Sequence, residues 1–157
     1  MTRPTYAYHH AFSLVEILVV LSILSVLAYV GIFATTAARD RTELRALSNT
    51  IMLHLEESKA RAVSGSGGTA HGVWFDDNQY VQFSGTTYTP SASDNVVYEV
   101  SEEFTLSVSP LSQDEVVFNR ITGMVDTAIT ITVARTDGSG TARTITVGGG
   151  GNISQSE

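Results

Sequence analysis

Between Glu16 and Arg39 the chain carries no charge: residues 17–38 are 22 consecutive uncharged positions rich in Leu, Val and Ile. As a helix rising about 1.5 Å per residue this run reaches roughly 33 Å, enough to cross the hydrocarbon core of a bilayer. No proline occurs between Pro4 and Pro90, so nothing obliges the helix to end where the apolar run ends. Beyond Arg39 the pattern turns amphipathic. Leu44, Leu47, Ile51 and Leu55 recur at intervals of three and four, while Arg45, Glu56, Lys59 and Arg61 fall mostly elsewhere. The first strong breaker is Ser64-Gly65-Ser66-Gly67-Gly68. The spacing predicts one helix from residue 12 to about 63, roughly 75 Å long. Residues 12–38 suit lipid, and residues 39–63 suit packing on something else.

Other readings of the run fit less well. A secretory signal peptide has a shorter apolar region followed by a small-residue cleavage site, which residues 34–38 would supply; here the helix pattern continues straight on. A buried core helix is hard to build from 22 uncharged residues. Only Arg3, with His9 and His10, precedes the run, whereas Arg39, Arg41 and Arg45 follow it. Counted alone, these basic residues would place the C-terminal part in the cytoplasm. Glu16 does not fit a plain anchor. A carboxylate at the start of a membrane helix either snorkels to the interface or meets a partner charge from another subunit.

The whole-chain averages hide this division. With 157 residues, 43% apolar and a mean hydropathy of only +0.10, the chain is neither disordered nor polytopic. No cysteine is present, which removes disulfides, thiolate nucleophiles and Cys-ligated metal sites. Nine Lys/Arg against sixteen Asp/Glu give a net charge of −7, unfavourable for sequence-independent binding to a phosphate backbone.

Residues 64–157 read as a β-domain. Val73-Trp74-Phe75 and Tyr80-Val81-Gln82-Phe83 flank the turn formers Asp76-Asp77-Asn78, predicting a hairpin. Short strands are expected at 96–100, 104–108 and 115–119. The clearest pair is 128–133 with 143–147, joined across Asp137-Gly138-Ser139-Gly140, where Ile/Val alternates with Thr. The run Gly148 to Gly151 has no following helix or lysine that would make it a phosphate loop and reads as a flexible tail.

Nothing in this domain has the spacing of a catalytic motif. His9 and His10 lie near the start, His54 on the helix and His71 after a glycine loop, and no HExxH, GxSxG or Walker-type pattern occurs. Asp76-Asp77-Asn78 and Asp137-Gly138-Ser139-Gly140 lack the ligand spacing of an EF-hand and are explained by turn chemistry. No catalytic residue, metal or cofactor is expected.

The residues from Ala11 through Leu24, Ala-Phe-Ser-Leu-Val-Glu-Ile-Leu-Val-Val-Leu-Ser-Ile-Leu, resemble the cleavage and methylation motif of type IV pilins and type II secretion pseudopilins. In that family a short leader ends in a small residue, usually glycine and here Ala11. Phenylalanine opens the mature chain, here Phe12, and glutamate is its fifth residue, here Glu16. The resemblance implies a leader over residues 1–11, cut between Ala11 and Phe12 by a prepilin peptidase at the cytoplasmic membrane. It further implies N-methylation of Phe12, a cytoplasmic N-terminus and export of the remainder, with other pilin subunits as partners. Glu16 would then pair with the α-amino group of a neighbouring subunit and set axial register, since an unpaired charge in an apolar filament core is costly.

The stretch Val116-Val117-Phe118-Asn119-Arg120-Ile121-Thr122-Gly123, the following strand pair and the glycine turn before Asn152-Ile153 resemble the C-terminal pattern of the GspH/FimT group of minor pseudopilins and pilins. Some FimT-like members bind DNA through basic residues near the C-terminus. Here eleven acidic residues from Asp76 to Glu157 face only Arg120, Arg135 and Arg143, so nucleic acid is not the expected partner. The expected fold is α+β and pilin-like: a long N-terminal helix, transmembrane in its first half, packed on an antiparallel β-domain through Leu44, Leu47, Ile51 and Leu55. The expected function is that of a minor pilin or pseudopilin, with a DNA-binding minor pilin or a plain single-span anchored β-domain as the alternatives.

Overall fold

The computed structural model describes residues 13–110, 113–138 and 142–156, with the side chains of residues 30–40 left outside that set. A single helix, α1, spans Leu14–Ser64, and a 3-10 turn follows at Ser66–Gly68. Eight strands complete the described chain: β1 His71–Asp76, β2 Gln79–Ser84, β3 Val96–Glu99, β4 Phe104–Ser109, β5 Glu115–Phe118, β6 Ile129–Arg135, β7 Arg143–Val147 and β8 Ile153–Ser156. The chain divides into a unit that ends at Ala38 and a second unit, Arg39–Glu157.

Within the second unit the strands form two four-stranded sheets, ordered β3-β2-β1-β5 and β4-β6-β7-β8. Every pairing is antiparallel. The expected hairpins are present, β1 with β2 across Asp77-Asn78 and β6 with β7. Alternation explains why the second sheet faces inward as it does: Ile129, Ile131, Val133, Ile145 and Val147 are buried, while the intervening threonines are only half-buried. One core joins these residues to Val73, Phe75, Val116 and Phe118 of the first sheet and to Leu44, Ile51, Leu55 and Ala62 of α1. The result is a helix packed on an antiparallel β-domain, an α+β fold.

The far face of the first sheet is closed by the β2–β3 connection. Tyr88 stacks on Trp74 at 4.5 Å between ring centroids and tilts against Phe83 at 5.7 Å, and its N–H donates to Glu115 Oε2 at 2.7 Å. Gly72 is required there by space. A Cβ at that position would sit 2.6 Å from both the Phe83 ring and the Val116 carbonyl oxygen.

The glycine run 148–151, expected as a flexible tail, is instead the turn of the last hairpin. Gly148 N–H donates to the Asn152 carbonyl at 2.9 Å, Gly151 N–H donates to the Gly148 carbonyl at 2.7 Å, and β8 pairs with β7. The turn is anchored laterally, since Val125 N–H donates to the Gly149 carbonyl at 3.2 Å. Gly151 has φ 75°, the left-handed region that favours glycine. The strand beyond it, Ile-Ser-Gln-Ser, holds one large apolar residue in four, too faint an alternation to announce a strand.

Candidate assembly interface

The described part of the first unit begins at Ser13, whose carbonyl accepts the first helical bond from Ile17 N–H at 3.2 Å. Glu16 lies in the first turn of α1, where a carboxylate complements the partial positive charge of the helix N-terminus. From Leu14 to Leu27 the large apolar side chains are exposed on every side of the helix, from 47% at Ile17 to 76% at Leu14. The two serines inside this run are satisfied by the helix itself: Ser22 Oγ donates to the Val19 carbonyl at 2.7 Å and Ser25 Oγ to the Ser22 carbonyl at 2.8 Å. Such a surface makes no demand on water and presents a continuous apolar contact area. Among the described residues no helix is long and apolar enough to cross a membrane. The expected 12–38 span continues past Tyr29 into side chains outside the described set, and the expected cleavage and methylation site, Ala11 and Phe12, also lies outside it.

In the second unit α1 presents a seam at Leu44, Ser48, Ile51, Leu55, Ser58 and Ala62, all buried and spaced four, three, four, three and four. Leu44, Ile51 and Leu55 are in the core, and Leu47 lies at its margin, partly buried against it. Hydrophobic periodicity marks the leucines and isoleucine but not the serines and Ala62, which let the sheet approach.

Gln82 of β2 is the polar hub of this seam and is 3% exposed. Its Nε2 donates to the His54 carbonyl at 2.9 Å and to Ser58 Oγ at 3.2 Å, with Glu57 Oε2 farther off at 3.4 Å, while its Oε1 accepts from the Tyr98 hydroxyl at 3.0 Å. His54 Nδ1 lies 2.9 Å from the Tyr80 hydroxyl, and its ring stacks on Tyr98 at 4.1 Å. Burial lowers the His54 pKa against an opposing pull from Glu57, and burial with the adjacent Tyr98 pushes Tyr80 up to about 12. Glu57 is held low chiefly by its hydrogen bond from Arg61, whose Nη2 is 2.6 Å away. These groups lock helix to sheet. Sequence reasoning set His54 aside and passed over Gln82, because a buried amide has no periodic signature.

The acidic turn works as backbone chemistry: Asp76 Oδ1 accepts from Asp77 N–H at 2.9 Å, and the Asp77 and Asn78 carbonyls accept from Leu106 and Val100 at 3.0 and 2.8 Å. Among the described residues no group of three His, Cys, Asp or Glu is placed to hold a metal ion. Arg135 pairs with Asp137 at 3.4 Å and Glu103 at 3.8 Å and lies over the Phe104 ring.

Residues 7–28 match the family described as the prokaryotic N-terminal methylation motif. Among curated proteins, none matches the chain. The fold is similar to that of the type IV minor pilin FimU of Pseudomonas aeruginosa, with a TM-score of 0.58, 12% identity and coverage of 72% of this chain and 92% of FimU. A second crystal form of FimU has the same TM-score at 16% identity, with 75% and 91% covered. The minor pseudopilin EpsH from the type 2 secretion system of Vibrio cholerae aligns with a TM-score of 0.52 and 14% identity, over 73% of this chain and 96% of EpsH. A methylation motif over residues 7–28 thus precedes a domain whose fold is similar to those of a minor pilin and a minor pseudopilin.

Proposed function

We propose that this protein is a minor pilin or minor pseudopilin, a structural subunit of a type IV pilus or a type 2 secretion pseudopilus. The observation that carries the reading is the apolar surface on all sides of residues 14–27, with a carboxylate at its start and the methylation motif over it. A globular chain has no use for such a surface, whereas a bundle of like helices covers it completely.

In this reading a prepilin peptidase removes residues 1–11 by cutting between Ala11 and Phe12, and the new Phe12 amine is methylated. The subunit waits in the cytoplasmic membrane with its N-terminus inward and its β-domain outside. It then moves into a filament as its helix exchanges lipid for neighbouring helices. Glu16 accepts the positive charge of a neighbour's terminal amine in an apolar setting, where a charge without its partner is disfavoured, so only one axial register is populated. The low count of basic residues in the β-domain and the engagement of Arg135 by Glu103 and Asp137 weigh against a DNA-binding role.

The test is Glu16→Ala in the full chain. Membrane insertion is expected to persist while incorporation into sheared filaments or pseudopili is lost; incorporation at the unaltered level would refute the register role.

A further inference from the structure

The end of α1 and the turn after β5 meet at a residue that the fold alone does not select. Ile121 has φ 73°, in the left-handed region, where a β-branched side chain is strongly disfavoured and glycine or asparagine fits without strain. Its N–H donates to the Ala62 carbonyl at 2.9 Å, tying the turn to α1, and a glycine would make the same bond. Burial does not offset the strain, since Ile121 is 60% exposed, with its Cδ1 over Gly65. Val63, next to Ala62 in the chain, is 45% exposed and lies against Gly123. Ile121 and Val63 thus make an apolar corner between two glycines that have no side chain to cover it.

Two cations flank this corner. The Arg120 guanidinium lies over Gly65 beside Ile121, and the stem of Lys59 runs along Gly123 beside Val63. Among the described residues neither cation makes an ion pair, whereas Arg61 is held by Glu57, and Arg135 by Glu103 and Asp137. The partial negative charge at the end of α1 accounts for cations in this place. It does not account for a strained, exposed isoleucine between them. On a chain of net charge −7, an apolar centre with two unpaired cations at its rim selects a surface of the opposite make-up. We propose that this corner docks a subunit of the same filament other than this chain, through an apolar socket on that subunit rimmed by carboxylates. Strain at Ile121 is kept because its side chain supplies contact area that glycine lacks. Two cations are too few for a nucleic-acid surface, whose affinity grows with the number of phosphates neutralised. The inference rests on the reading of the protein as a minor subunit, whose neighbours in a filament are other chains, and it adds a domain contact to the one made by the apolar helix.

Photocross-linking in cells that assemble the filament tests the contact. A diazirine side chain in place of Val63 in the full chain is expected to capture a different protein that carries an N-terminal methylation motif, at a peptide of its exported domain containing Asp or Glu. Lys59→Glu combined with Arg120→Glu is expected to cut the cross-link by about tenfold or more, and Lys in place of the captured carboxylate to restore it. Ile121→Gly is expected to weaken the cross-link while the melting temperature of the purified chain rises, a combination that a purely structural isoleucine does not produce; Ile121→Asn, which also fits the left-handed backbone, is expected to do the same. The proposal is overturned by capture of only a second copy of this chain, lipid or nucleic acid, by charge reversals without effect or without rescue, or by a cross-link indifferent to Ile121→Gly. If the chain enters filaments and gives no cross-link, this contact fails and the reading stands; if it never enters filaments that the other subunits assemble, the minor-subunit reading fails and takes the contact with it.

Discussion

Residues 14–29 and residues 44–62 belong to the same helix, α1, and share its backbone geometry, yet they answer to different surroundings. In the first stretch the large apolar side chains point in every direction and remain exposed. In the second, burial is confined to the seam of Leu44, Ser48, Ile51, Leu55, Ser58 and Ala62, and charged residues occupy much of the rest of the circumference. Helix formation does not distinguish the two; the distribution of side chains around the axis does. A stripe specifies one partner surface, supplied here by the protein's own β-domain, whereas a full apolar circumference calls for lipid or several other helices.

That contrast is easiest to break by truncating one residue in each stretch. Ile51→Ala, at a site with no exposure, is expected to destabilise the β-domain by about 2–5 kcal/mol through lost burial and a residual cavity, read as a shift in the denaturation midpoint. Leu24→Ala, at a site 54% exposed, is expected to leave that midpoint unchanged and to lower incorporation into filaments. Equal effects of the two variants on domain stability would erase the distinction.

A smaller effect is expected from the polar part of the seam. Gln82→Ala leaves Ser58 and the Tyr98 hydroxyl without their amide partner, and a cost of about 1–3 kcal/mol follows from burying polar groups unpaired. Chemical denaturation of the full chain measures it.

The apolar run, the turn at Asp76-Asp77-Asn78 and the Ile/Val–Thr alternation of β6 and β7 were legible in the sequence because each is a local pattern with a period. The seam was legible only in its large residues. Ser48, Ser58 and Gln82 are buried through contacts between chain segments far apart in sequence, so no local period reports them. The last strand was hidden for another reason: its place in the sheet comes from the geometry of the 148–151 turn and from pairing with β7, not from its own weak alternation. The candidate site divides likewise. Glu16 stands out in the sequence by its position in a motif, and its role is the proposal made above, whereas the left-handed conformation of Ile121 is set by its bond to α1 and has no local sequence pattern.

The smallest expected effect is the pH response of the seam. Burial lowers the His54 pKa from 6.5, so at and somewhat below pH 6.5 the unfolded chain binds more protons than the folded one, and stability rises with pH through that window. The contribution is complete above 6.5 and is lost as pH falls through the depressed value. Glu57, lowered from 4.5, acts in the same direction in a more acidic window. Melting temperatures across these windows are expected to show the upper step disappear in His54→Gln while the lower one remains; a step near 6.5 that survives the substitution would assign it elsewhere.

The central claim is that the apolar run is delivered to a filament as the mature N-terminus of a processed subunit, and intact-mass measurement of the protein purified from membranes of cells with an active prepilin peptidase tests it most directly. The account predicts a chain that begins at Phe12 and carries one added methyl group. A chain that retains residues 1–11 in those cells would contradict it.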